Sequence, residues 1–110
     1  MKNVLLVLFS LFFSCQLNAQ LNTGDLKKMI NKSTKLIEKG NTSIEVYNTR
    51  AICYFDLKEY DKSELDLKNI LVIDSENVSA MMLLGDLFSK KRNFKLANFI
   101  MKKLLIMVEN

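Results

Sequence analysis

Residues 44–77 read IEVYNTRAICYFDLKEYDKSELDLKNILVIDSEN, and residues 78–110 read VSAMMLLGDLFSKKRNFKLANFIMKKLLIMVEN. Laid over one another at an offset of 34, Tyr47, Ala51, Tyr54, Tyr60, Ser63, Leu67 and Ile70 return as Met81, Gly85, Phe88, Phe94, Ala97, Met101 and Leu104. Each position keeps its class: large apolar, tiny, aromatic, aromatic, small, large apolar, large apolar. The steps within each set are three or four residues, the spacing of one face of an α-helix, with one break after the third member. Each repeat therefore reads as two helices joined by a short turn. A unit of this period cannot bury its own apolar face and does so by stacking on its neighbours. The expected fold is all-α, a short solenoid without strands.

Capping chemistry divides the chain further. Leu26, Met29, Ile30, Leu36 and Ile37 recur at helical spacing between Asp25 and Gly40, predicting a leading helix over 25–40 that stops at a glycine suited to a left-handed turn. Thr42-Ser43-Ile44-Glu45 reads as a capping box for the next helix, with Thr42 as the cap. Asp61 suits the start of the following helix, though that helix could begin earlier, and Asn77 and Asn93 suit the last two. Five helices result, with no proline to break them. Ala51 and Gly85 are expected to form notches where a neighbouring helix comes close, facing Ser63 and Ala97. The rings of Tyr54, Tyr60, Phe88 and Phe94 are expected to fill the gaps beside them.

The first residues belong to a different category. Met1-Lys2-Asn3 is a short basic start, Val4 to Phe13 is an apolar run, and Ser14 to Ala19 is small and polar. That is the order of an export signal over 1–19, followed by a linker over 20–24. The run is shorter than the roughly 20 residues a spanning helix needs. Two processing points compete: cleavage after Leu17-Asn18-Ala19, or lipidation of Cys15 in the lipobox-like Phe12-Phe13-Ser14-Cys15. Only the second would tether the domain to a membrane. Cleavage at Ala19 leaves Cys53 alone, expected to pack as a small hydrophobe, with a disulfide-linked dimer as the lesser alternative.

The net charge is +4, and it is unevenly spread. Lys90, Lys91, Arg92, Lys95, Lys102 and Lys103 crowd one stretch that contains no acid. They read as a solvated rim; no aromatic-and-basic pattern supports nucleic-acid binding. Asp56, Glu59, Asp61, Glu64 and Asp66 interleave with Lys58, Lys62 and Lys68 as on an exposed helix with ion pairs. The absence of histidine removes histidine triads and histidine metal clusters. With no phosphate-binding glycine loop and no cysteine pair at metal-ligand spacing, neither a cofactor nor a metal is expected, and the chain is read as a binding protein rather than an enzyme. Asn-x-Ser sequons at Asn31, Asn41 and Asn77 carry no weight beside a bacterial-type leader.

The matched positions resemble the tetratricopeptide repeat, once over 44–77 and again over 78–110. Leu26, Met29, Ser33 and Leu36 resemble the second half of a worn upstream repeat. Arg50 departs from the usual Leu, and Ser75 and Glu109 depart from the usual Pro. The resemblance implies a right-handed stack of helix pairs whose concave face holds a protein or peptide partner. Projected onto this chain, that face carries Glu45, Asn48, Ile52 and Phe55 from one repeat and Ser79, Met82, Asp86 and Ser89 from the next. Asn48 and Ile52 do not reproduce the carboxylate-gripping cluster of some family members, and the mixed face suits an apolar or extended peptide.

The last helix is apolar well beyond one stripe. Leu96, Phe99, Ile100, Leu105 and Met107 cannot all face one partner helix, so this end is expected to form an interface with a second copy or another protein. Missing downstream repeats would explain the same pattern. The leading expectation is an exported adaptor of the bacterial cell envelope. The alternative is a self-associating or Cys15-anchored assembly subunit, or a fragment of a longer repeat protein.

Overall fold

The computed structural model describes residues 21–109; the leader, Ala19 and Cys15 lie outside the described residues. Five helices follow one another: α1 (Thr23–Glu38), α2 (Ile44–Asp56), α3 (Tyr60–Ile73), α4 (Val78–Lys90) and α5 (Phe94–Glu109). No strand occurs among the described residues. Each helix packs on the one before and the one after, α1 on α2, α2 on α3, α3 on α4 and α4 on α5. Successive packing of this kind, without long-range closure, is the architecture of a helical-repeat solenoid.

The helix starts are set by side-chain oxygens taking up free backbone N–H groups. Asn22 accepts from Asp25 N–H at 2.8 Å, so α1 opens at Thr23, two residues before Asp25. Asn77 accepts from Ala80 N–H at 2.9 Å, and Asn93 from Leu96 N–H at 3.3 Å. The cap of α2 is Ser43, which accepts from Val46 N–H, rather than Thr42. Both residues can cap, and the hydroxyl that does so belongs to Ser43. Helix α3 starts after Glu59 with no side-chain cap bond, and Asp61 lies in its first turn, where a negative charge favours the helix dipole.

Helices α1, α2 and α4 all stop in the same way. Gly40 (φ 97°), Lys58 (φ 62°) and Arg92 (φ 61°) occupy the left-handed region. The residue after each donates to the helix carbonyl five positions back: Asn41 to Leu36, Glu59 to Tyr54 and Asn93 to Phe88, each at 2.8 Å. These are Schellman stops, and the two non-glycine ones lie one repeat apart. A left-handed Lys or Arg carries roughly 1–2 kcal/mol of strain, which glycine relieves less its own unfolded-state entropy. Both side chains are exposed. Lys58→Gly and Arg92→Gly are therefore each expected to raise stability by about 0.5–1 kcal/mol, read as a higher urea midpoint with unchanged slope.

The core joins both repeats. Ala51, Leu67, Ile70, Ala80, Leu84 and Leu87 form one buried cluster, with Tyr47, Tyr60, Phe88 and Ile100 packed against it. The first notch behaves as the sequence implies: buried Ser63 donates its hydroxyl to the Ala51 carbonyl at 2.7 Å, so the small side chain also satisfies its own polar atom. The second notch is looser. A methyl group on Gly85 would lie 3.4 Å from Met101 Sδ and 3.6 Å from Ile100 Cγ2, ordinary van der Waals contact. Gly85→Ala is expected to gain about 1 kcal/mol from helix propensity, measurable by thermal unfolding.

The rings divide unevenly. Tyr60 meets Phe55 edge-on at 5.4 Å, and Phe88 is half-buried on the core. Tyr54 is half-buried outside the central cluster, with Arg50 Cζ 5.8 Å and Lys62 Nζ 5.6 Å from its ring centre. Phe94 stands exposed rather than filling a gap; Phe55, the ring that Tyr60 meets, has Ser89 as its counterpart one repeat on.

Arg50, the departure from the repeat pattern, makes a two-pronged contact with a buried carboxylate. Its Nε donates to Asp66 Oδ2 at 2.8 Å and its Nη2 to Asp66 Oδ1 at 2.7 Å, while Nη1 reaches Thr34 Oγ1 at 3.1 Å. One guanidinium thus ties α2 to both α3 and α1. The hydrogen bonds it donates to Asp66 hold the Arg50 pKa above the ordinary value, against the opposing effect of burial. Asp66 is therefore not on an exposed face with the other acids. Of the remaining acids of that cluster, Glu64 pairs on the surface with Lys68 at 2.9 Å and Glu59 with Lys62 at 3.5 Å, whereas Asp61 pairs with Lys91 from outside it. Cys53 is buried, and burial followed by nearby Asp56 pushes its thiol pKa up, which disfavours the reactive thiolate.

Candidate peptide groove

Helices α2 and α4 are the first helices of the two repeats, and one open groove runs along them. On α4, Ser79, Met82, Asp86 and Ser89 step by three and four residues and line one side. Asn48 and Ile52, one turn apart on α2, line the other. The groove has a volume of about 770 Å³, within the range of roughly 300–1,000 Å³ typical of ligand clefts. Val78, Leu83, Gly85 and Met101 complete its wall. Asp86 is the one charged side chain in this lining.

Two residues projected onto the concave face lie elsewhere. Phe55 is drawn toward the core by its edge contact with Tyr60 across the α2–α3 turn. Glu45, at the start of α2, borders a smaller hollow against α1 with Met29, Lys32 and Leu36. Helix α1 packs on α2 and forms the other wall of that hollow. Met101 carries the opposite lesson. Its repeat position marks it as core, yet its side chain is exposed and adds an apolar edge to the groove.

The residues projected as an interface on α5 also separate. Leu96, Phe99 and Leu105 face outward, whereas Ile100 and Met107 are half-buried. Ala97, Ile100, Leu104 and Met107 share one helical stripe, so the stripe that seats α5 on α4 takes two of the five inward. Phe94, Met101, Ile106 and Val108 are exposed in addition. None of the described helices is long and apolar enough to cross a membrane.

No family model matches the chain, and no solved structure matches it. Over 63 residues it is 30% identical to the sperm-associated antigen 1 proteins of Mus musculus and Rattus norvegicus. The aligned stretch covers 57% of this chain but 7% of the length of those relatives, which contain tetratricopeptide repeats. The chain is thus an all-helical repeat solenoid with partial similarity to a repeat-containing protein. Both features suggest a protein-interaction role.

Proposed function

We propose that this chain is an exported adaptor of the tetratricopeptide-repeat kind that holds an extended segment of a partner protein in the groove between α2 and α4. The observation that carries the reading is the joining of Asn48 and Ile52 with Ser79, Met82, Asp86 and Ser89 in one cleft, from two repeats 34 residues apart. Ile52, Val78, Met82, Leu83 and Met101 offer apolar contact, and Asp86 favours a Lys or Arg on the incoming segment. Export to the bacterial cell envelope is supported by the leader pattern over 1–19, with release at Ala19 or lipidation of Cys15 as its two outcomes.

Random dodecapeptides displayed on phage, selected against the chain from Gln20 onward, test the groove. Enrichment of apolar residues flanking a Lys or Arg is expected. Met82→Glu should weaken the selected peptides at least about tenfold by placing a charge where an apolar side chain docks. Selected peptides that bind the variant as well as the parent would refute the groove. Mass spectrometry of the protein made with its leader tests export: a first residue of Gln20, or a lipid on Cys15, is expected, and an intact Met1 start counts against it. A self-associating assembly subunit is the second reading, favoured by the exposed apolar residues of α5.

A further inference from the structure

The internal repeat shows what belongs on the bare side of α5. Tyr60, Leu67 and Leu71 on α3 correspond, 34 residues on, to Phe94, Met101 and Leu105 on α5. Leu67 is 0% exposed and Met101 is 54% exposed; Leu71 is half-buried and Leu105 is 62% exposed. The two helices begin at equivalent positions, Tyr60 and Phe94, and they differ in one neighbouring helix. Helix α3 packs on α2 and on α4, whereas α5 packs on α4 alone among the described residues. The bare stripe is therefore the counterpart of a seat that α4 fills one repeat earlier.

Charge then separates the two seats. Just past the C-terminal end of α4, Lys91 reaches back to α3, with Nζ 2.6 Å from Asp61 Oδ1 and 3.5 Å from Glu64 Oε1. The positions equivalent to Asp61 and Glu64 on α5 are Lys95 and Asn98. The sign is inverted at the place where the end of a docked helix arrives, and Lys90, Arg92, Lys102 and Lys103 add to the same positive field.

We infer that α5 seats an amphipathic helix of a partner protein, antiparallel to it as α4 is to α3, with an apolar face over Phe94, Met101 and Leu105 and an acidic residue just beyond its C-terminal end against Lys95. A second copy of this chain fits the seat poorly. Its own α5 is lysine-rich, with Lys95, Lys102 and Lys103 against Glu109, so two such helices meet with like charge, and its α4 is already packed. This inference rests on the reading of the chain as a binding module but uses a face apart from the groove, sharing only Met101 with it.

A labelled peptide of residues 77–92, and the same peptide carrying Lys90→Glu, Lys91→Glu and Arg92→Glu, are the probes, followed by fluorescence anisotropy at low salt. The acidic peptide is expected to bind about tenfold more tightly than the unchanged one, as the combined effect of three surface charges reversed. Lys95→Glu in the protein should shrink or reverse that preference. Leu105→Glu, at an exposed site where circular dichroism and melting should be unchanged, should abolish binding of both, while the groove variant Met82→Glu leaves it intact. Equal affinity of the two peptides, or binding that survives Leu105→Glu, overturns the inference. So does sedimentation showing a dimer that Leu105→Glu converts to monomer, because the seat then belongs to a second copy. Loss of binding with Met82→Glu alone would move the site to the groove and refute the α5 seat while sparing the groove reading.

Discussion

Replacing Asp66 by alanine is expected to destabilise the fold by about 3–5 kcal/mol, the range for removing one partner of a buried ion pair. Asp66 is 2% exposed and gives both carboxylate oxygens to Arg50. Without it, the Arg50 guanidinium keeps one neutral contact, to Thr34, and remains largely enclosed among α1, α2 and α3. Some of its surface reaches solvent, so partial hydration should hold the loss toward the lower end of that range. A domain of this size has roughly 5–15 kcal/mol in total, so the variant should unfold at a much lower urea concentration.

The second repeat indicates how to reverse the damage. At the positions equivalent to Arg50 and Asp66 it carries Leu84, in the buried cluster, and Ile100, packed against that cluster. The double variant Arg50→Leu with Asp66→Ile is therefore expected to lie within about 1 kcal/mol of the parent, because a well-packed apolar pair often matches a buried ion pair. Equilibrium urea unfolding of the single and double variants checks both statements. A double variant as unstable as Asp66→Ala would mean that the two repeats do not share packing geometry at this layer. The apolar pair would also lose the link to Thr34, so any remaining deficit should appear as earlier fraying of α1 in hydrogen exchange.

Leu67→Ala is expected to cost about 2–5 kcal/mol, the usual loss for truncating a fully buried leucine. Met101→Ala, at the same position of the next repeat, should cost under about 1 kcal/mol, since its side chain is mostly in water already and alanine favours the helix. Thermal or urea unfolding of the two variants measures the gap directly. Similar losses would show that α5 is covered in solution, as by self-association. If a gap then opened on dilution into the nanomolar range, the cover would be identified as a second copy. The pair of variants thus bears on stability and on the bare face of α5 together.

Much of the fold was legible because the information is local. The 34-residue period, the helical spacing within it, the asparagine caps at Asn77 and Asn93 and the glycine stop at Gly40 each depend on neighbours within a few residues. Thr42 and Ser43 show the limit of that reading: both are competent caps, adjacent in sequence, and Ser43 is the one that caps. The groove was partly legible for the same reason. Asn48, Ile52, Ser79, Met82, Asp86 and Ser89 lie on stripes opposite the packing face, whereas Phe55 and Glu45 were displaced by contacts with Tyr60 and with the α1 side of α2.

By itself, the amino-acid order determined five helices, their starts to within two residues, and their grouping into stacked pairs, since helix spacing and capping act over one turn of chain. Only the tertiary structure decided that Arg50 and Asp66, 16 residues apart, form a buried pair reaching Thr34 on a third helix. It alone decided that equivalent residues such as Leu67 and Met101 differ in burial. A repeat motif states which side of a helix is apolar; whether that side is dry depends on the next helix in space.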